Sequence, residues 1–146
     1  MKRNPALQTL SHDHQHGLAV ALRLKRVTTE TALEVREAFL DFWASEGQVH
    51  FRAEEEVLLP AFAAHASAGH QAVVRVLVEH VEIRRRASEV AGGGDPECAE
   101  LRELGELLEG HIRHEERVLF PLVEDALSRD DLRRLAVALE AAEAGS

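Results

Sequence analysis

Apolar residues return along this chain in steps of three and four, and strict alternation is nearly absent. That period marks helices with one buried stripe. Alanine, leucine, glutamate, arginine and valine dominate, which suits helix throughout. The pattern predicts a first helix over about 6–27, ending at Thr28 and Thr29. Thr31 and Glu34 offer a capping box for a second helix, which runs to about Ala64 with Pro60 kinking or ending it. Ser67 is the expected cap of a third helix, to about Val90. The run Ala91-Gly92-Gly93-Gly94 is the clearest break. Asp95 as N-cap with Pro96 at the first helical position opens a fourth helix, to about Leu127. Ser128 and Asp131 cap a short fifth helix with Leu132, Leu135, Ala136 and Leu139 on one face. Four long helices with short connections predict an all-α, up-down-up-down four-helix bundle with a short C-terminal fifth helix, one domain over 1–146.

A repeat crosses this pattern. HFRAEEEVLLP at 50–60 returns as HIRHEERVLFP at 111–121, identical at seven of eleven positions. The two copies fall on the second and fourth helices, which suggests two helical hairpins related by an internal pseudo-twofold.

The helical stripes place polar groups where core residues are expected. On the second helix the stripe is Phe39, Trp43, Gly47, His50, Glu54, Val57 and Ala61. On the fourth it is Leu104, Leu108, His111, Glu115, Val118 and Leu122. The third carries Val73, Leu77, His80, Ile83 and Ala87, and the first carries Leu7, Leu10, His14, Leu18 and Ala21. Each helix thus puts a histidine in its seam. A buried carboxylate is costly unless it is paired or holds a metal. A histidine and a carboxylate four residues apart share a helix face. Pairs His50–Glu54 and His111–Glu115 would meet His14 and His80 at one point. Four imidazoles and two carboxylates suffice for two metals, each held by two histidines with the carboxylates bridging. That ligand set suits non-haem iron, with zinc or manganese as lesser alternatives. The competing reading is a metal-free bundle, or a zinc-bearing interaction module, in which these histidines are hydrogen-bonded core residues.

Neighbouring candidates sort less sharply. His16 is the rival to His14 on the first helix, while His12, His65 and His70 are expected at the surface. Glu55 and Glu116 repeat beside the candidate ligands and are expected in solvent or behind a ligand. His114 would crowd the site, and Ala53 stands in its place in the other copy. Arg52 and Arg113 are expected to pair with acidic neighbours outside, and Arg84-Arg85-Arg86 to form a solvated face. Gly47, one turn before His50, either leaves space beside the metals or serves packing.

Composition narrows the function classes. A net charge of −9 argues against wrapping nucleic acid or sitting on an anionic membrane. No apolar run reaches membrane-span length, and the N-terminus lacks the apolar core of a secretory signal. One cysteine, Cys98, excludes an internal disulfide framework and fits a cytoplasmic location. There is no tyrosine, which excludes a tyrosyl radical or a phenolate ligand.

The series H … H-x-x-x-E … H … H-x-x-x-E from His14 to Pro121 resembles the hemerythrin-like, histidine–histidine–glutamate cation-binding family. The resemblance implies a four-helix bundle around two iron ions joined by an oxo or hydroxo bridge. It implies His14, His50, Glu54, His80, His111 and Glu115 as ligands, and oxygen, peroxide or nitric oxide as small-molecule partner. Whether such a protein is a sensor, a store or a peroxidase- or catalase-like enzyme stays open, and a sensor would signal through a separate protein. Two departures from the oxygen carriers stand out. Their second third-helix histidine has no match here, because Arg84 lies four after His80 and Val76 four before it. Their last carboxylate stands five residues after its histidine, a spacing that would select Glu116 here. Ferritin-like Glu-x-x-His and zinc-protease H-E-x-x-H patterns are both absent.

Overall fold

The structure, a computed structural model, describes residues 2–145. These form five helices after a short 3-10 turn, Pro5–Leu7, with no strand among the described residues. Helix α1 is Gln8–Lys25, α2 covers 32–63, α3 is Gln71–Ala91, α4 covers 98–126 and α5 is Arg129–Ala144. Among the described residues no helix is long and apolar enough to cross a membrane.

The ends of the helices follow local chemistry, with three departures from expectation. Ser128 caps α5 as expected, its hydroxyl accepting from the Asp131 N–H at 3.1 Å. Gly93 and Gly94 take positive φ, so the break after α3 uses the backbone freedom of glycine. Thr31 makes no cap bond to α2, because its hydroxyl turns back to accept from the Thr28 N–H. Ser67 similarly serves the preceding turn, and His70 caps α3 instead, its Nδ1 accepting from the Ala72 N–H. Asp95 and Pro96 precede a helix that starts only at Cys98.

Pro60 does not end the second helix, which continues to Ala63. It is preceded by a wide π-turn, Glu54–Leu58, and Pro121 is preceded by another, Glu115–Leu119. A proline ring crowds the carbonyl four residues back, and a widened turn relieves that contact. These two π-turns each begin at a carboxylate of the repeat and insert one extra residue into the turn. The apolar stripe is therefore displaced by one position beyond it. Leu58 and Phe62 are buried rather than Val57 and Ala61, and Leu119 and Val123 rather than Val118 and Leu122. Two smaller corrections concern the other helices. On α3 Val76 is buried and Leu77 exposed, and on α1 Gly17 takes the buried place expected for Leu18.

Two apolar cores result. One gathers Leu7, Leu10, Leu58, Phe62, Val76, Phe120 and Val123, and α5 seals it with Leu132, Leu135 and Leu139. The other gathers Leu24, Phe39, Phe51, Ile83, Leu104, Leu108 and Ile112. Removing each large side chain from water contributes about 1.5–3 kcal/mol. Close approach of α1 and α4 depends on Gly105, where a Cβ would lie 2.9 Å from the Ala21 carbonyl oxygen. Between the cores lies a buried polar layer.

Candidate metal centre

The six expected groups meet in that layer. His14, His50, Glu54, His80, His111 and Glu115 are all buried, with Glu54 and Glu115 fully so. They come from α1, α2, α3 and α4. Their donor atoms form two sets, each within 4.8 Å: His14, His50, Glu54 and Glu115, and His80, His111, Glu54 and Glu115. Both carboxylates belong to both sets. Glu54 sends Oε2 to Nε2 of His50 at 3.1 Å and Oε1 to Nε2 of His80 at 3.1 Å. Glu115 Oε1 lies 3.0 Å from Nε2 of His14 and 3.2 Å from Nε2 of His111.

These contacts are close, yet several are not hydrogen bonds. Both oxygens of Glu54, Oε2 of Glu115 and Nε2 of His80 and His111 are buried without a partner in hydrogen-bond geometry. These atoms crowd within 4.8 Å of one another without pairing off. Nε2 of His14 and Nε2 of His50 stand 3.1 Å apart. Two imidazole nitrogens so close require a proton or a cation between them. Buried polar atoms are otherwise nearly always satisfied, so the donor set fits metal ions.

Behind the inward face stands a second ring of carboxylates. The Nδ1 of each histidine donates to one of them. His14 donates to Glu116 at 2.6 Å, His50 to Asp13 at 3.0 Å, His80 to Glu55 at 2.7 Å and His111 to Glu79 at 2.9 Å. With the proton held at Nδ1, the Nε2 lone pair is turned inward and its basicity raised. The pairing follows the pseudo-twofold. The acidic residue just before a seam histidine serves the histidine of the next helix, in Asp13-His14 and again in Glu79-His80. The residue just after each shared carboxylate serves the remaining histidine, Glu55 for His80 and Glu116 for His14. Glu116 therefore points outward and Glu115 inward, so the five-residue spacing is not the one that reaches the centre. Sequence reasoning missed Asp13 and Glu79. The repeated acidic-His dipeptide was the signal, hidden because the two differ in residue type.

Three outer carboxylates face cations and the fourth does not. Arg3 and the Ser11 hydroxyl approach Glu116, Arg84 donates to both oxygens of Glu55, and Arg75 donates to Glu79. Arg84 thus has a specific task instead of lying in a solvated face, and it also stacks over Phe51. Asp13 is instead hydrogen-bonded to Glu143 of α5. Burial and the Asp13 carboxylate push the Glu143 carboxyl up to about 7, so this pair carries a proton near neutrality.

Charge in the layer is strongly coupled. Burial alone would depress the histidines, yet the charge of the Glu115 carboxylate close by, with the Glu79 hydrogen bond behind, holds His111 up at about 10. Against the same burial, the Glu54 carboxylate and Asp13 raise His50 well above its usual range. His14 and His80 are raised likewise by Glu115 with Glu116 and by Glu54 with Glu55. Burial would raise Glu115, but the His111 charge and hydrogen bonds from its neighbours hold it well below the usual carboxylate range.

The remaining histidines lie elsewhere. His16 is exposed and bonds Glu46, so it does not displace His14. His12 is exposed, and His65 pairs with Asp131. His114 is buried beside the centre, its Nε2 has no hydrogen-bond partner, and burial with Arg75 pushes its pKa down. Arg113 stands 3.6 Å from Glu109, an outside pair as expected.

A small cavity of about 20 Å³ touches the centre on one side. That is room for one water-sized molecule. Its walls include His14, His50, His111 and Glu115, with Gly17, Phe42, Trp43, Gly47, Leu108 and Ile112. The two halves of the centre differ here. Phe51 lies flat on His80, centroids 3.7 Å apart and planes within 5°. Its repeat counterpart is the smaller Ile112, and the counterpart of buried Ile83 is Gly17. Smaller residues thus leave the space beside His14. Gly47 serves packing of the same wall, since a Cβ there would meet the Trp43 ring at 2.6 Å.

The family model of the hemerythrin HHE cation-binding domain matches residues 6–123. The chain belongs to the hemerythrin HHE cation-binding family. The matched span runs from the turn before α1 to Val123 in α4 and contains every donor of the hemerythrin-like centre. No curated protein and no solved structure matches the chain.

Proposed function

We propose that this hemerythrin-family protein holds two iron ions and binds or senses oxygen or a reactive oxygen or nitrogen species. The observation that carries the reading is the sharing of Glu54 and Glu115 between two four-residue donor sets. In this reading His14 and His50 would hold one iron and His80 and His111 the other, with Glu54 and Glu115 available to both. Helices α1 to α4 form the up-down-up-down bundle of the family, and α5 closes one end. Two bound irons would supply a Lewis-acidic, redox-active pair with positions open to a small exogenous molecule. The chain's own residues do the rest. The outer carboxylates fix each imidazole tautomer, Phe51 and the apolar cores exclude water, and the cavity admits one small molecule beside His14 and His50. Imidazole and carboxylate donors also accept zinc and manganese, so metal analysis is the decisive experiment. Anaerobic reconstitution should give two irons per chain, with ligand-to-iron absorption after air exposure. Failure to retain iron, or retention of zinc alone, would overturn the reading.

A second reading, disproportionation of two peroxides to water and oxygen, draws on the Asp13–Glu143 pair. Asp13 lines the cavity, and Glu143 supplies an exchangeable proton next to it. Peroxide cleavage needs such a proton at the departing oxygen. Oxygen evolution from added peroxide, sharply reduced by Glu143→Gln with iron content unchanged, would favour the enzyme. Unchanged turnover in that variant would remove Glu143 as the proton source, and no turnover in the wild type would leave binding or sensing.

A further inference from the structure

Outside the buried layer, one cluster of metal-type donors has no role in the centre. His12 and His16 lie four residues apart on α1, so their side chains share one exposed face. Their ring centroids are 5.0 Å apart with planes at 61°. The buried pair His80–His111 has centroids 4.8 Å apart and the same 61°. The surface pair is thus as close, ring to ring, as two imidazoles of one buried donor set; its nitrogens do not converge with Glu46 within 4.8 Å as they stand, and rotation of the exposed His12 side chain would bring the three donors together. A third donor comes from another helix. Glu46, on the π-turn Trp43–Gly47 of α2, brings Oε1 to 2.8 Å from Nδ1 of His16. Glu46 also lines the cavity beside His14, so the cluster sits at its rim.

We propose that His12, His16 and Glu46 form a third cation site, exposed, selective for an imidazole-preferring divalent transition ion such as Ni²⁺, Cu²⁺, Zn²⁺ or Fe²⁺. Two imidazoles and one carboxylate match that class of ion and leave positions for water. The overall charge of −9 favours cation approach. Glu46 now accepts a hydrogen bond from His16, and a cation would take the place of that proton between the same two atoms. The site uses none of the buried donors, so it stands whether or not the centre holds iron.

Equilibrium dialysis of the full-length protein against Ni²⁺ tests it, with iron content measured on the same samples. The wild type should take up one Ni²⁺ per chain more than either His12→Ala or His16→Ala. Glu46→Gln should weaken that uptake, and His65→Ala, at a different exposed histidine, should leave it intact. Buried iron content should be the same in all five proteins, and circular dichroism should confirm unchanged helix in each. Equal Ni²⁺ uptake by the wild type and both alanine variants would overturn the proposal. So would loss in His16→Ala alone, which would reduce the cluster to a His–Glu ion pair.

Discussion

Asp13 accepts a hydrogen bond from Nδ1 of His50 at 3.0 Å, although it sits on α1 next to His14 and His50 sits on α2. One helix thus supplies a donor to the centre and the brace for its neighbour's donor. Losing such a brace typically costs 10–100-fold in metal affinity. Asp13→Asn should lower affinity at the His14–His50 position within about that range, measured by competition with a chelator. Undiminished affinity at both positions would show that the brace is irrelevant.

Sharing of the carboxylates predicts unequal consequences for metal content. Glu54→Ala removes a donor from both sets, so both metals should be lost or weakened together. His14→Ala removes a donor from one set, and the His80–His111 metal should persist. Elemental analysis of the two variants distinguishes them, and equal loss in both would argue against two separable positions.

Acidity should act in opposite directions on the metal-free and metal-loaded forms. His111 has an ordinary value of 6.5 and is raised to about 10 in the folded, metal-free protein. Its contribution to stability is fully present below pH 6.5 and is lost as pH rises towards 10. The melting temperature of the metal-free protein should therefore fall across that interval. Glu115, held low, contributes above the ordinary carboxylate value and loses its contribution in stronger acid. Metal binding needs neutral imidazole, so affinity should rise with pH and binding should release protons. Metal retained in mild acid would count against histidine ligation.

Filling the cavity should separate metal holding from small-molecule binding. A Cβ at Gly17 would approach Cδ1 of Ile112 at 2.7 Å, and a valine would occupy the space beside His14. Gly17→Val should weaken azide binding to the iron-loaded protein by about tenfold or more, roughly 1.4 kcal/mol. Iron content should hold. Azide affinity equal to the wild type would place the exogenous molecule elsewhere.

Helix approach gives a purely structural test. At Gly105 a Cβ would meet Leu24 at 2.8 Å and the backbone oxygen of Ala21 at 2.9 Å. Backbone cannot rotate away as a side chain can. Gly105→Ala should destabilise the fold by about 1–3 kcal/mol in chemical denaturation, despite the better helix propensity of alanine.

Helical periodicity and the repeated H-x-x-x-E were enough to identify five helices and the six residues that meet in the layer. A four-residue step puts two side chains on one face of a helix whatever surrounds it, so His50–Glu54 and His111–Glu115 were legible as pairs. Choosing His14 over His16 also followed from its place in an apolar stripe. The same reasoning failed just beyond Glu54 and Glu115. A π-turn adds a residue to the helix, and no periodic template of constant step registers that shift.

What the sequence by itself determined, then, is local: which side chains share a helix face, and which donor types each face carries. Tertiary structure alone decided which carboxylate braces which imidazole, because Asp13–His50, Glu55–His80, Glu79–His111 and Glu116–His14 all join different helices. It likewise decided that the cavity opens beside His14 and not His80, since that depends on Gly17, Ile112 and Trp43 converging from three helices. Contacts between helices depend on how far apart and how rotated those helices are, and side-chain spacing within one helix carries no measure of either.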